Sequence, residues 1–171
     1  MPPGSCPEIR HEATVTDVVD GETRSRMMAG IRGRDTQPEM ALRQALHARG
    51  FRYRLHGADL PGRPDLVFPR HRAAVFVHGC FWHRHPGCRY ATTPATRMAF
   101  WTAKFGANVA RDGHVQGALA AMGWRTGVVW ECALRSRVKA ERTADVVAAW
   151  LLGEKPSLDC GLSSDDTNAS A

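Results

Sequence analysis

The sequence predicts an α/β protein in which a mixed sheet is flanked by helices. Short apolar runs with the length of strands alternate along the chain with longer segments that carry helix signals. A length of 171 residues, 43% of them hydrophobic, suits one compact domain with an ordinary core. The predicted order of elements is α, β, β, β, α, β, α, which is typical of helices packed on a mixed sheet.

The first half of the chain supplies helices followed by three strands. Residues 24–32 are predicted to form a short basic helix. Thr36, Pro38 and Glu39 then make a capping box for a helix that continues to Ala48 and stops at Gly50. The predicted strands cover residues 51–55, which alternate apolar and basic residues, then 65–68 and the apolar run 73–78.

The second half alternates helix and strand after an irregular loop. Residues 79–95 are crowded with Cys, His, Trp and Pro, and Thr96 is predicted to cap a helical region that reaches Met122. Breaks are possible in that region at Gly106 and Gly113. Residues 124–131 are predicted to be a core strand. The last helix covers residues 138–152, and its predicted apolar face consists of Val146, Val147, Trp150 and Leu151.

Charge and composition divide the chain into three parts. Residues 1–22 and 154–171 are predicted to be flexible tails, the first of them acidic, on either side of a domain at 23–153. That domain has a net charge of +13, mostly from arginine, whose guanidinium matches phosphate oxygens. A polyanionic partner explains this, and so does a GC-rich genome that favours arginine codons. No signal peptide or membrane-length apolar run is present, so we expect a soluble cytoplasmic protein.

A carboxylate at a strand end is a candidate magnesium ligand. Asp65 follows Pro64 at the mouth of one predicted strand, and the next strand ends in His78. Mg²⁺ binds one or two carboxylates and completes its shell with water, carbonyl and phosphate oxygens. A Pro-Asp pair is also common in turns, so this signal alone is weak.

The loop after His78 carries a candidate zinc site. Cysteines beside histidines in a cytosolic chain suggest metal before disulfide. Cys80, His85 and Cys88 lie close together in the loop. If a later strand brings Cys132 beside them, the four side chains complete a tetrahedral Cys₃His site. His83 competes with His85 for the imidazole position on spacing alone. The alternative is buried, unligated thiols with surface histidines.

Adjacent aromatic residues in the same loop have two possible uses. Phe81 and Trp82 lie next to the candidate ligands, and Trp101 follows on the next helix. Aromatic side chains are usually core residues, and we expect this of Phe100 and Trp150. Two neighbouring aromatics cannot both point easily into one core, and wedges that enter the base stack of DNA are the other use.

Asp112 has a structural and a functional interpretation. It lies beside Arg111 on a mostly polar helix face, where a surface ion pair is the simpler expectation. The functional interpretation is a carboxylate that orients a histidine base. The sequence by itself favours the surface residue.

Taken together, these segments resemble the very-short-patch-repair (Vsr) mismatch endonucleases. The resemblance covers residues 23–135 in order and with nearly the family spacing. The most specific segments are RSRMM at 24–28, LPGRPD at 60–65, FVHGCFWH at 76–83, PATR at 94–97 with FW at 100–101, and VWECAL at 129–134.

The resemblance implies a restriction-endonuclease-like fold and a set of catalytic roles. Asp65 would bridge two Mg²⁺ ions, with the backbone carbonyl of Val77 as a further ligand. His78 would act on the metal through water, and His83, held by Asp112, would be the base for the attacking water. Glu39 is a further, outer catalytic contributor. The structural zinc ligands would be Cys80, His85, Cys88 and Cys132.

The resemblance also implies the substrate. Phe81, Trp82 and Trp101 would wedge into a T·G mismatch from the major groove, and Met28 and Ile31 would approach from the minor groove. The expected reaction is a nick 5′ to the T of a mismatch produced by deamination of 5-methylcytosine. Expected partners are double-stranded DNA, mismatch-repair proteins and a cytosine methylase of the same site. We expect a monomer at the nucleoid, with no membrane partner.

Two features depart from the family pattern, and two other functions remain open. Val77 stands where the family commonly has Thr. The carbonyl ligand survives this change, because it belongs to the backbone. Arg84 and an extra residue near Pro86 and Gly87 alter the histidine-rich loop. The shape of the zinc loop, and the choice of His85 as its imidazole ligand, depend on how this altered loop folds. The alternatives are a restriction endonuclease that cuts both strands of matched DNA and a non-catalytic DNA-binding module stabilised by zinc.

Overall fold

Five short strands form one mixed sheet in the computed structural model, which describes residues 35–161. The strands are β1 (Arg54–Leu55), β2 (Leu66–Phe68), β3 (Ala73–His78), β4 (Arg125–Trp130) and β5 (Ser157–Cys160). They lie in the sheet in chain order, and β2 is antiparallel to both of its neighbours, β1 and β3. β3, β4 and β5 are parallel to one another. The predicted mixed sheet flanked by helices is confirmed, and it is consistent with a restriction-endonuclease-like fold.

Within residues 35–161, three α-helices flank the sheet: α1 (Gln37–Ala48), α2 (Met98–Ala121) and α3 (Arg137–Leu152). The predicted start of α1 is confirmed, because the Thr36 hydroxyl accepts a hydrogen bond from the Glu39 amide at 3.5 Å. Gly50 follows the helix end with φ +85°, a conformation that glycine adopts without strain.

The two faces of the sheet bury different helices. On β3, Ala73 and Val75 face the cluster that contains α1 and α3, whereas Ala74 and Phe76 face the cluster with Leu119 of α2. This alternation is the period of two that a strand requires. It also places His78, two residues after Phe76, on the face that α2 covers.

Several predicted boundaries differ from the structure. The strand predicted at 51–55 is limited to Arg54–Leu55, since Phe51 and Tyr53 instead pack on the edge of the core. α2 begins after Arg97, whose backbone is left-handed, so the prediction of Thr96 as the cap is wrong. The helix continues through Gly106 and Gly113 without a break.

Two residues predicted to be in the core are exposed. Phe100 is 47% exposed and Val146 is 46% exposed, while Val147, Trp150 and Leu151 are buried as predicted. Phe100 lies one residue from the half-buried Trp101, and neighbours on a helix point about 100° apart. Only one of the two can face the loop that α2 covers.

The last strand of the sheet changes the predicted boundary between the domain and its C-terminal tail. Residues 157–160 lie within the segment predicted to be a flexible tail from 154 onward, and they form β5 beside β4. The prediction is therefore wrong over these four residues. The predicted helix at 24–32, the acidic tail at 1–22, Met28 and Ile31 lie outside the described residues. No described helix is long and apolar enough to span a membrane.

Candidate active site and metal centre

Two histidines and an aspartate meet beyond the carboxyl end of β3. His83 Nδ1 donates to Asp112 Oδ2 at 2.5 Å. The His83 ring is stacked on that of His78, with centroids 3.9 Å apart and planes 11° apart. The three side chains could together hold a metal ion. In the arrangement observed, His83 and Asp112 are in direct contact through their hydrogen bond.

The local fold explains how these three side chains meet. His78 is the last residue of β3, and the chain then turns back so that the His83 amide donates to the Gly79 carbonyl at 3.1 Å. Asp112 comes from α2, which crosses the loop, and Asn108 one turn earlier donates to the Trp82 carbonyl at 3.1 Å. The helix thereby fixes the loop and the carboxylate together.

His78 is neutral at physiological pH. Burial and, to a smaller extent, the neighbouring His83 lower the pKa of His78 to about 4, against the opposing effect of Asp112. A neutral imidazole can accept a hydrogen bond and donate one. His78 is therefore suited to binding water or a ligand oxygen rather than to pairing with an anion.

Asp65 lies just before β2, with its side chain against the end of β3. Its Oδ2 accepts a hydrogen bond from the Val77 amide at 2.7 Å. The N–H and C=O of one strand residue point to the same side, so the Val77 carbonyl faces the same neighbour as its amide. Burial raises the pKa of Asp65 to about 6, and the Val77 hydrogen bond only partly opposes this.

Glu39 is buried at the start of α1, and both of its oxygens are engaged. The Thr36 hydroxyl donates to Oε1 at 2.9 Å, and Nη2 of Arg43 donates to Oε2 at 2.9 Å. The negative charge of Glu39 contributes to the raised pKa of Asp65. Glu39 is therefore close enough to Asp65 to affect its charge state.

Three thiols and one imidazole form a second cluster between the loop after β3 and the segment after β4, which supplies Cys132. The Nδ1 atom of His85 lies 3.7 Å from the Cys80 sulfur and 3.4 Å from the Cys132 sulfur. With Cys88 included, the four ligand atoms lie within 4.8 Å of one another. Ligands about 2.3 Å from a tetrahedral zinc lie about 3.8 Å apart, so this set fits the ion. The structure therefore brings together His85, not His83, with the cysteines.

Trp130 at the end of β4 links the two clusters. Its indole is stacked on His85 with centroids 4.3 Å apart, and it contacts His78 edge-on at 5.5 Å. The indole Nε1 donates to Asp159 Oδ1 of β5 at 2.7 Å. One side chain thus has a candidate zinc ligand on its face and a candidate catalytic histidine near its edge.

The aromatic residues of the loop form a partly exposed cluster against α2. Phe81 contacts Trp82 at 5.0 Å and Trp101 at 5.6 Å between ring centroids. Phe105 packs beneath them and is buried, with Phe81 5.1 Å away. Phe81, Trp82 and Trp101 are each only half-buried.

Several residues that support this site were not among those predicted. Phe105 and Asn108 hold the loop, and the Arg84 guanidinium lies 4.6 Å over the Phe105 ring. The sequence does carry a signal for the helix residues. The spacing of Trp101, Phe105, Asn108 and Asp112 places all four on one face of a helix. Arg84 gives no comparable signal in the sequence.

Comparison with known proteins identifies the family. The model of the family described as DNA mismatch endonuclease Vsr matches residues 16–89. The DNA mismatch endonuclease Vsr of Escherichia coli (strain K12) is 44% identical over 145 residues, which are 84% of this chain and 92% of that protein. The chain belongs to the Vsr family of DNA mismatch endonucleases. As a Vsr-family protein, it is a DNA-cleaving hydrolase.

Other Vsr relatives are described as nicking enzymes. The type II nicking enzyme V.XorIIP of Xanthomonas oryzae pv. oryzae is 51% identical over 120 residues, 70% of this chain and 88% of that protein. The type II nicking enzyme V.NmeAIP of Neisseria meningitidis is 36% identical over 123 residues, 72% of this chain and 87% of that protein. Membership in the Vsr family agrees with the resemblance drawn from the sequence.

Proposed function

We propose that this chain nicks one DNA strand 5′ to the thymine of a T·G mismatch by Mg²⁺-dependent phosphodiester hydrolysis. The observation that carries the proposal is the contact between His83 and Asp112 beside a neutral His78. Hydrolysis needs a group that takes a proton from the attacking water. An imidazole fixed by a carboxylate is such a group.

His83 is the proposed base. Its Nδ1 proton is donated to Asp112, so the other ring nitrogen, Nε2, is the one free to accept a proton. When His83 becomes cationic, the Asp112 carboxylate stabilises the charge directly. His78 remains neutral beside it and adds no repelling charge. Asp112 is therefore a positioning and charge-stabilising residue, and His83 is the catalytic one.

Asp65 and the Val77 carbonyl are the proposed ligands for two Mg²⁺ ions. The raised pKa shows that the Asp65 carboxylate is poorly stabilised by the protein alone, as is common where a cation is to bind. When bound, Mg²⁺ would activate water and neutralise charge on the leaving oxygen. Glu39, already held by Arg43, adds negative charge nearby.

The aromatic cluster is the proposed reader of the mismatch. A T·G wobble has lost a Watson–Crick pair, so separating it from its neighbours costs less than separating a matched step. Phe81, Trp82 and Trp101 are partly exposed; the first two lie in the loop of the proposed base, and Trp101 lies on the helix that carries Asp112. Insertion of these rings would select a deformable step. T·G pairs of this kind arise from deamination of 5-methylcytosine.

The arginine-rich domain supplies the sequence-independent part of DNA binding. Its net charge of +13 over residues 23–153 suits contact with phosphates on both sides of the lesion. One active site per chain suits a monomer that cuts a single strand. The wider partners proposed are mismatch-repair proteins and the cytosine methylase whose sites give rise to the mismatch, at the nucleoid.

Zn²⁺ is the proposed occupant of the Cys₃His cluster, with a structural role. Residues 79–91 contain turns and no regular element, so their backbone has few bonds of its own. Four protein ligands close the coordination shell and leave no position for substrate. The loop that these ligands fix carries His83 and two members of the aromatic cluster, Phe81 and Trp82.

A plasmid with a single T·G mismatch tests the proposal against the restriction-type alternative. With Mg²⁺, the wild-type protein is expected to convert the supercoiled mismatch plasmid to the nicked circle and to leave the matched plasmid intact. Asp65→Ala is expected to bind the mismatch without nicking it. Linear product from matched plasmid would instead indicate a restriction endonuclease, and full nicking without Mg²⁺ would overturn the metal-dependent mechanism.

A further inference from the structure

We propose that Asp159 and Gly161, at the end of β5, are positioning residues for the His85 ligand of the Cys₃His cluster. The proposal rests on the zinc site proposed above and extends it to a strand that the sequence did not predict. It makes retention of the metal dependent on the last strand of the described sheet, 25 to 28 residues beyond the last proposed ligand, Cys132.

Gly161 closes one side of the His85 imidazole. A Cβ atom at this position would lie 2.4 Å from both Cε1 and Nε2 of His85, and 2.9 Å from Cδ1 of Trp130. Carbon atoms in contact are ordinarily about 3.5–4.0 Å apart, so no larger residue fits without a shift. The backbone of Gly161 is not left-handed, so close approach to His85 is the reason that glycine is needed here.

Trp130 covers a face of the same ring. Its indole is stacked on His85 with an interplanar angle of 13°. Asp159 holds that indole through the 2.7 Å hydrogen bond from Nε1. His85 is therefore covered by the Trp130 indole on a ring face and bounded at Cε1 and Nε2 by the chain at Gly161, and Asp159 fixes Trp130.

The geometry determines which nitrogen faces the metal. Nδ1 of His85 points to the Cys80 and Cys132 sulfurs, while Nε2 points to Gly161. The imidazole is buried, with 7% of its surface exposed, so it has little space to move aside. A methyl group at residue 161 would push on the ring at Cε1 and Nε2 and so displace Nδ1 from its ligand direction.

The metal affinity of a site depends on such supporting residues. Loss of a residue that orients a ligating histidine typically lowers affinity about 10- to 100-fold. We expect a similar loss of zinc affinity in Gly161→Ala, measured by competition with a chromophoric chelator. The matched control is Gly117→Ala in α2, where an added Cβ meets nothing within 4 Å.

A second pair of variants separates positioning from general stability. Asp159→Ala removes the acceptor for Trp130 and should lower zinc affinity, whereas Asp159→Asn retains an oxygen acceptor and should restore most of it. The absorption bands of the Co²⁺-substituted protein report ligand geometry directly. They should change in Gly161→Ala and Asp159→Ala, and remain as in the wild type in Asp159→Asn and Gly117→Ala.

The outcomes are distinct. Wild-type zinc affinity and an unchanged Co²⁺ spectrum in folded Gly161→Ala would overturn the inference while leaving the zinc site intact. If Gly161→Ala does not fold, equal zinc affinities of Asp159→Ala and Asp159→Asn would overturn it. A wild-type protein without zinc would remove the zinc site and this inference together, and the nicking assay tests the rest of the proposed function independently.

Discussion

The imidazole of His83 lies parallel to that of His78, 3.9 Å away between ring centroids. Two cationic imidazoles at this distance would repel each other, and burial lowers the pKa of His78 to about 4. The pair therefore carries at most one positive charge near neutral pH. Asp112 contacts His83, with 2.5 Å between Oδ2 and Nδ1.

Removal of the proposed base should slow the chemical step without weakening DNA binding. We expect His83→Ala to lower the single-turnover nicking rate by about 10²- to 10⁴-fold, the usual contribution of a general base. Asp112→Asn should lower it by a smaller factor, because His83 remains in place. His114→Ala, an exposed histidine on the same helix, serves as the control. Nicking by His83→Ala at the wild-type rate would exclude His83 as the base.

The charge state of Asp65 should appear in the pH dependence of stability. Its pKa is about 6 when folded and 3.8 ordinarily, so the folded protein binds this proton more tightly than the unfolded chain. The resulting stability is present below about pH 4 and is lost as the pH rises through about 6. In Mg²⁺-free buffer at pH 8, Asp65→Asn should therefore be more stable than the wild type, by at most about 3 kcal/mol.

Urea unfolding at several pH values measures this difference. The gain should vanish near pH 4, where Asp65 is largely protonated in the folded wild type. Added Mg²⁺ should stabilise the wild type and not Asp65→Asn. The exposed Asp59→Asn is the control, for which no such pattern is expected. Equal stability of wild type and Asp65→Asn at pH 8 would contradict the claim that the buried Asp65 carboxylate destabilises the metal-free protein.

The fold and the site differ in how far the sequence could predict them. Ala73–His78 and the capping box at Thr36 carry local signals, and the structure has both where they were predicted. β5 carries no such signal, because Ser157–Cys160 is short and mostly exposed, and it becomes a strand only by pairing with β4. Strand pairing of this kind depends on tertiary context rather than on propensity.

Contacts distant in the chain were the hardest part of the site to predict. In the sequence, Asp112 is 29 residues after His83 and is most simply interpreted as a surface residue. Only the packing of α2 across the loop brings the two side chains together. The choice between His83 and His85 as the companion of the cysteines is equally open in the sequence. It depends on the turn after β3, which directs His85 to Cys80 and Cys132 and His83 to α2.

The Cys₃His cluster should contribute to folding rather than to the chemistry alone. Cys132→Ser should abolish tight binding of one zinc ion per chain and lower the melting temperature, because zinc binding contributes folding free energy. Cys160→Ser, at a half-buried thiol on the neighbouring strand, should retain the zinc. Metal analysis that finds no zinc in a folded wild-type protein would refute the structural role.

The aromatic cluster should govern discrimination more than general affinity. Trp82→Ala should bind matched duplex about as well as the wild type and lose roughly ten- to a hundredfold in affinity for T·G duplex, since stacking on a base is worth about 1–3 kcal/mol. Trp124→Ala, at a half-buried tryptophan packed on a different cluster, is the control. If Trp82 acts only in the core, its loss should instead lower the melting temperature and weaken binding to both duplexes equally.

The position of the cut tests the central claim most directly. A duplex with one T·G pair is labelled on each strand in turn, and single-turnover products are resolved at one-nucleotide resolution with Mg²⁺ present. The account predicts a single product from the T-containing strand, broken 5′ to the mismatched T, with no matching cut in a T·A duplex. Cleavage of both strands, or cleavage of the T·A duplex at the same rate, would contradict it.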